Sequence, residues 1–183
     1  HIHVRDKEGN DSMEVETFKE VIDLLHNNHP DCDVILNLTS AGGIANSEEA
    51  RMAPFIRLKP EMASFDCGTM NWMYFGIFNN NPPFLEKMGK AMLEAGVKPE
   101  IEVFNPAMIH DAAYYLKKGF LKAPLHFQFC MGCANGSPAT VEDLVFMKST
   151  LERVCPGSTW SAFGVGKGAM EIMYAAIAAG GHI

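Results

Sequence analysis

The chain has 183 residues, of which 48% are hydrophobic and 20% are charged, and its formal net charge is -7. This length and composition predict one well-buried domain over residues 1–183, and the negative charge, with no Lys/Arg run, argues against a nucleic-acid partner. No apolar stretch approaches the roughly 20 residues of a membrane span, and no signal peptide is visible, so we expect a cytoplasmic protein.

The first predicted strand carries two histidines. In a strand, alternate side chains point to the same face, so His1 and His3 should project together, with Ile2 and Val4 packed behind them. Two imidazoles on one rigid strand suit a divalent metal such as Zn²⁺. Two ordinary strand histidines are the other interpretation of this pattern.

Strand and helix patterns then alternate along the chain. Three of the helices begin at a capping residue or a proline, at Ser47, Pro82 and Thr140. The predicted strands are Val34–Thr39 (buried on both faces), Met62–Gly68, Ile101–Asn105, Leu125–Phe129 and Thr159–Phe163, with a further one beginning at Gly180–Ile183. The predicted helices cover residues 15–28, 47–58, 82–95, 107–118, 140–154 and 169–179, and a long loop follows the second of these later strands.

This rhythm predicts parallel βαβ units and therefore an α/β fold. Six strands and the start of a seventh fit a (β/α)₈ TIM barrel, which typically needs about 250 residues. We therefore expect the first strand and most of the last to be missing, since the sequence begins and ends inside predicted strands, as the middle of a longer chain would. The competing architecture is a doubly wound open sheet, but no G-x-G-x-x-G follows an early strand.

Polar residues recur where the predicted strands end, which is where barrel enzymes place their chemistry. They are His1, His3, Thr39, Ser40, Thr69, Glu102 and Gln128. Glu102 matters most, because a carboxylate inside an apolar strand is costly unless it is paired or lies near a metal. A structural salt bridge is the alternative role for Glu102.

Two loops offer further chemistry. Gly164, Gly166 and Lys167 precede a helix whose N-terminus could hold a phosphate, although a plain tight turn explains the glycines equally well. Cys130 and Cys133 form a C-x-x-C that could be a redox pair or half of a zinc site. No second cysteine pair exists, so we expect two free thiols in a loop.

Several segments together resemble the β-keto acid cleavage enzymes, the family typified by the 3-keto-5-aminohexanoate cleavage enzyme of lysine fermentation. The segments are His1–Asp6, Leu38–Gly43, Lys59–Ser64, Gly68–Asn71, Pro99–Phe104, Phe127–Phe129, Thr159–Ser161 and Gly180–His182. The resemblance runs over essentially all of the chain in the family's order. It implies a zinc-dependent TIM barrel that condenses a β-keto acid with acetyl-CoA, giving acetoacetate and a new CoA thioester.

The resemblance also implies roles for single residues. His1 and His3 match the two zinc histidines, while the third zinc ligand, the carboxylate-binding Arg and the Asp general base would lie beyond Ile183. Either Thr39 or Ser40 would supply a site hydroxyl, and Thr69 and Glu102 match polar site residues that position the substrate. Acetyl-CoA would suit a phosphate loop at 164–167, and we expect a homo-oligomer, a tetramer.

Two other functions stay open at this point. A metal hydrolase of the amidohydrolase type also carries H-x-H on a barrel strand, but it would want further histidines at later strand ends, where this chain has Thr, Glu and Gln. The other is a non-catalytic metal-binding piece, in which the amine and imidazole of His1 would chelate copper.

Overall fold

A parallel sheet is the centre of the protein, and the computed structural model describes all 183 residues. The strands are β1 (Val4–Arg5), β2 (Asp11–Ser12), β3 (Asn37–Leu38), β4 (Met62–Asp66), β5 (Met70–Asn71), β6 (Ile77–Phe78), β7 (Lys98–Val103), β8 (His126–Met131) and β9 (Thr159–Gly164). The helices are α1 (Val15–Asn28), α2 (Glu48–Leu58), α3 (Pro82–Ala95), α4 (Pro106–Lys117), α5 (Val141–Val154) and α6 (Ala169–Ala178).

The main sheet has the order β3-β4-β7-β8-β9, and every neighbouring pair is parallel. Ile2 pairs in parallel with Leu38 beyond one edge, and His182 pairs in parallel with Ser161 beyond the other. Seven parallel segments therefore lie side by side in chain order, with helices between them. This topology is that of a (β/α)₈ barrel rather than of a doubly wound sheet, whose strand order reverses.

Local signals fix where the helices begin and end. The Ser47 hydroxyl accepts the Ala50 N–H at the start of α2, and the Thr140 hydroxyl accepts the Asp143 N–H at the start of α5. Helix α3 ends at Gly96, whose φ of 73° belongs to the left-handed region that favours glycine. These boundaries agree with the predicted ones to within a residue or two.

The core lies between the sheet and the helices. It contains 33 buried residues, among them aromatic residues such as Phe65 and Phe127 and methionines such as Met88 and Met147. A smaller cluster of Val4, Met13, Phe18 and Leu38 anchors the first segment and α1. The helices thus cover the outer face of the sheet and leave its inner face and its carboxyl-end rim for polar residues.

Three details differ from the sequence prediction. The strand predicted at Val34–Thr39 is reduced to Asn37–Leu38, and Val34 and Ile35 are exposed, because the neighbouring strand begins its pairing only at Met62. The predicted long loop after β4 contains an antiparallel hairpin, β5–β6, with a single 3₁₀ turn at its tip.

The third difference concerns the C-x-x-C segment. Strand β8 continues through Met131, so Cys130 is a buried strand residue and not part of a loop, and only Cys133 lies in the loop that follows. Both thiols are free. The strand extends this far because β9 pairs with it up to Gly164.

No helix is both long enough and apolar enough to cross a bilayer.

Candidate active site

His1 and His3 share one face of the first segment, as the period of two predicts. Their rings stack with centroids 5.1 Å apart, while Ile2 and Val4 pack into the small core cluster behind them. His1, His3, Glu100, Glu102, Gln128 and Phe163 line a cavity of about 300 Å³ at this position. Burial lowers the pKa of His3, which favours the neutral imidazole that binds a metal.

Two carboxylates on β7 face these imidazoles. Glu100 Oε2 lies 2.6 Å from His1 Nδ1, and Glu102 Oε1 lies 3.8 Å from the same nitrogen. The amide nitrogen of Asn37 is 3.3 Å from Nδ1. One ligand atom from each of His1, Glu100 and Glu102 lies within 4.8 Å of the others, which is close enough to surround one ion.

This donor set fits zinc. The 2.6 Å contact between His1 Nδ1 and Glu100 is of the kind in which a carboxylate orients a histidine whose other ring nitrogen binds a metal. His3 lies beside it as a second neutral donor. The structure thus brings His1 and His3 together, and their role as zinc ligands stays a prediction.

A second acid, Asp66, is buried next to Glu102. Burial and repulsion from Asp66 and Glu100 raise the pKa of Glu102 well above its usual range. Burial also raises the pKa of Asp66, to about 6, although the Arg51 guanidinium opposes that rise. Of the two acids, Glu102 has the pKa that is raised further, so it is the one that burial most favours in its neutral form.

The two candidate hydroxyls have different roles. Ser40 is fully buried, and its hydroxyl lies 3.2 Å from Ser64 Oγ and 3.5 Å from Asp66 Oδ2. Thr39 Oγ1 instead accepts the N–H of Ala41 at 3.0 Å and closes the turn after β3. Ser40 is thus the one joined to the acidic pair.

Arg51 on α2 connects the turn after β3 to the loop after the β5–β6 hairpin. Its guanidinium donates to the Ser40 carbonyl at 2.6 Å and to Asn80 Oδ1 at 2.7 Å, and it lies 3.9 Å from Asp66 Oδ2. The rings of Phe78 and Phe84 lie on it, 4.7 and 4.5 Å from the guanidinium carbon. A buried cation paired and hydrogen-bonded in this way fixes the two loops at the rim.

The other predicted residues lie farther out. Thr69 is exposed in the loop after β4, where its hydroxyl accepts the Asn80 N–H at 3.0 Å, and it does not line the cavity. Gln128 does line it and accepts a hydrogen bond from Ser161. Gly164 is the last residue of β9, and Gly166 and Lys167 belong to the 3₁₀ turn before α6. A Cβ at Gly164 would lie 2.7 Å from the Gly168 carbonyl, so tight packing accounts for that glycine.

Sequence reasoning passed over Glu100, Asp66, Ser64 and Arg51. The sequence pattern could have indicated Glu100 and Asp66. Glu100 and Glu102 repeat with the same period of two as the histidines, and Asp66 is a carboxylate in a buried strand, the argument that singled out Glu102. Ser64 and Arg51 carry no such local signal, because only the tertiary fold brings them to Ser40.

A carboxyl group with a raised pKa, two imidazoles and a buried serine at the carboxyl rim of a barrel can polarise and orient a carbonyl substrate. A family model described as "beta-keto acid cleavage enzyme" matches residues 1–183, the whole chain. The chain belongs to this family, and the resemblance inferred from its motifs is confirmed.

Comparison with two relatives shows what share of their length this chain covers. The chain is 39% identical over 183 residues to the 3-keto-5-aminohexanoate cleavage enzyme of Fusobacterium nucleatum, and all of it matches 64% of that protein. It is 31% identical over 182 residues to the 3-oxoadipate:acetyl-CoA acetyltransferase of Cupriavidus necator, matching 62% of it. The chain therefore spans just under two thirds of the length of these relatives.

Among solved structures, ObcA in complex with oxaloacetate superposes with a TM-score of 0.83 at 17% sequence identity. The match covers 100% of this chain and 51% of that one. Apo ObcA superposes similarly, with a TM-score of 0.81. These matches confirm the predicted barrel fold as a partial barrel and carry no further statement about chemistry.

Proposed function

We propose that the protein, as a β-keto acid cleavage enzyme, exchanges acyl groups between a β-keto acid and acetyl-CoA. In this reaction R–CO–CH₂–COO⁻ and CH₃–CO–S–CoA give CH₃–CO–CH₂–COO⁻, which is acetoacetate, and R–CO–S–CoA. The bond between the keto carbon and C2 breaks, and a new bond forms between C2 and the acetyl carbon. The family membership and the names of both relatives support this reaction.

The cofactor in this proposal is a zinc ion held by His1 and His3, with Glu100 behind His1. A zinc ion at this position supplies Lewis-acid polarisation of the keto and carboxylate oxygens. Cavity-lining residues orient the substrate, since a carbonyl bound beside fixed donors needs little reorganisation during the reaction.

Glu102 is the residue that we assign to the reacting carbonyl. It lines the cavity, and its raised pKa favours the neutral carboxyl group, which can donate a hydrogen bond to an oxygen on which negative charge develops. Ser40 and Thr39 are the proposed hydroxyl residues, and Ser40 acts through Asp66, the partner of Glu102. Thr69, outside the cavity, keeps the Asn79–Asn80 loop in place.

The phosphates of acetyl-CoA are proposed to lie at Gly164, Gly166 and Lys167, on the same rim. The observation that carries the proposed function is that His1, His3, Glu100 and Glu102 line one cavity at that rim, in a chain of this family.

The test is a two-substrate assay on the full-length protein. With acetyl-CoA and a panel of β-keto acids, we expect acetoacetate and the new acyl-CoA in equal amounts, measured by liquid chromatography and mass spectrometry. Omission of acetyl-CoA should abolish product. Turnover of a substrate without CoA would contradict the proposal and favour the metal-hydrolase alternative.

A further inference from the structure

A hollow outside the candidate site is lined only by apolar residues. Ile44, Trp72, Phe75, Cys133 and Ala134 surround a space of about 480 Å³. Ile44 lies in the loop after β3, Trp72 and Phe75 belong to the hairpin after β4, and the other two follow β8. All three segments leave the carboxyl ends of parallel strands, so the hollow opens on the same rim as the candidate site.

Two of the residues that line the hollow are linked to the candidate site through one or two intermediate residues. Cys133 follows Cys130 by three residues, and the Cys130 thiol lies 3.4 Å from Glu102 Oε2. On the other side, Trp72 stacks on Phe78 at 4.8 Å, and Phe78 in turn lies on Arg51.

The lining fixes the kind of group that can enter. An ammonium or carboxylate placed among these five side chains would lose its hydration without gaining a partner of opposite charge. An alkyl group would instead leave water for an apolar surface, which strengthens binding roughly fourfold for each buried methylene group. The hollow therefore selects for uncharged carbon chains.

We propose that this hollow binds the acyl tail (the R group) of the β-keto acid, and that the preferred substrates carry an uncharged, apolar tail. This inference rests on the proposed function, because it assumes that the keto and carboxylate groups lie in the cavity beside His1 and Glu102. The tail then extends past Cys133 towards Trp72 and Phe75. Ile44 and Ala134 determine how bulky the tail can be.

The test compares two substrates of nearly equal shape on the full-length protein. 5-Methyl-3-oxohexanoate and 5-amino-3-oxohexanoate differ by a methyl group in place of an ammonium group, and 3-oxoadipate supplies a negatively charged tail. We expect kcat/KM to be at least about tenfold higher for the methyl compound than for either charged one. A preference for a charged tail would overturn the inference.

An Ala134→Asp variant tests the location. Ala134 is exposed, so the change leaves the core intact, and it should lower the ratio of kcat/KM between the methyl and amino substrates by about tenfold. Ala178→Asp, at an exposed position at the end of α6, is the matched control and should leave the ratio unchanged.

The assay distinguishes failure of this inference from failure of the proposed function. An unchanged ratio in Ala134→Asp, or a rise in the KM of acetyl-CoA without a change for the keto acid, would overturn the assignment of the hollow to the tail. Absence of turnover with every keto acid would instead contradict the proposed function itself.

Discussion

At the scale of single residues, the site is built from two short repeats of period two. His1 and His3 stack on one face of the first segment, and Glu100 and Glu102 point from β7 towards them. Each repeat depends only on the alternation of side chains along a strand. The first repeat could be recognised in the sequence, and the second has the same form.

Loss of His3 should remove the metal. A His3→Ala variant leaves His1 as the only imidazole at the site, so we expect zinc to fall from about one ion per chain to below about 0.2, measured by elemental analysis. His110→Ala, on the exposed face of α4, is the control and should keep its zinc. Full zinc retention by His3→Ala would count against the assigned ligands.

Glu102→Gln should slow the reaction and spare the metal. The amide keeps the shape but is a weaker donor than a carboxylic acid, so we expect kcat to fall by about 100-fold with unchanged zinc content. Glu142→Gln, on the surface of α5, should have wild-type kinetics. If Glu102→Gln also has wild-type kinetics, Glu102 has no part in the reaction.

The buried acid Asp66 should make stability depend on pH. Its pKa is raised from 3.8 to about 6 in the folded state, so the folded chain binds more protons than the unfolded chain between these values. The stabilising effect of this protonation is present below about pH 4 and is lost as pH rises through 6.

Urea unfolding of the wild type and of Asp66→Asn at pH 4 and pH 7 checks this sign. Between these pH values, the stability of the wild type relative to the variant should fall, by at most about 3 kcal/mol. A difference that is the same at both pH values would show that Asp66 titrates normally.

At the scale of elements, α2 supports the rim through Arg51. The guanidinium bonds the Ser40 carbonyl and the Asn79 and Asn80 loop, so one side chain ties the turn after β3 to the segment that follows the hairpin. The two phenyl rings on its faces keep water away from these bonds. Helix α2 therefore positions the site without lining it.

Arg51→Lys should destabilise the protein although it keeps the charge. A lysine cannot make the forked set of bonds, so we expect the free energy of unfolding to fall by about 2–4 kcal/mol, measured by urea denaturation. Arg57→Lys is the matched control on the same helix, since Arg57 is exposed and meets Glu16 only at 3.5 Å. It should change stability by less than about 0.5 kcal/mol. Equal effects of the two variants would show that Arg51 is not a buried anchor.

The elements that could be predicted are those with strong local signals. Capped helices and apolar strands such as β8 and β9 were found, because periodicity and capping residues depend on near neighbours in sequence. The β5–β6 hairpin was missed, since a two-residue pairing leaves no periodic trace. Arg51 was missed because its partners are 11 to 29 residues away in sequence.

At the scale of the whole molecule, apolar side chains remain exposed on two neighbouring helices. They are Val145 and Phe146 on α5 and Met170, Tyr174 and Ile177 on α6, each at least half exposed. Exposed apolar patches of this kind commonly mark protein interfaces. They are consistent with the proposed homotetramer.

Light scattering coupled to size exclusion tests the assembly. We expect the mass of four chains for the full-length protein and a smaller species for Phe146→Lys, because a buried ammonium would weaken the contact. Lys148→Glu, two residues away, controls for the change of charge. A monomer at micromolar concentration would contradict the proposed tetramer.

The register of the parallel strands determines which side chains face the interior of the barrel and which face the helices. Asp66, Glu102, Gln128 and Ser161 pair across four strands, and the preceding row is Phe65, Ile101, Phe127 and Trp160. A shift of one residue in the register of any strand would place its large apolar side chain in the polar interior of the barrel. The polar side chain next to it in sequence would then face the helices. A molecule with a shifted strand would therefore have both a lower stability and a lower activity. A preparation with full activity is thus also one in which the strands have the native register.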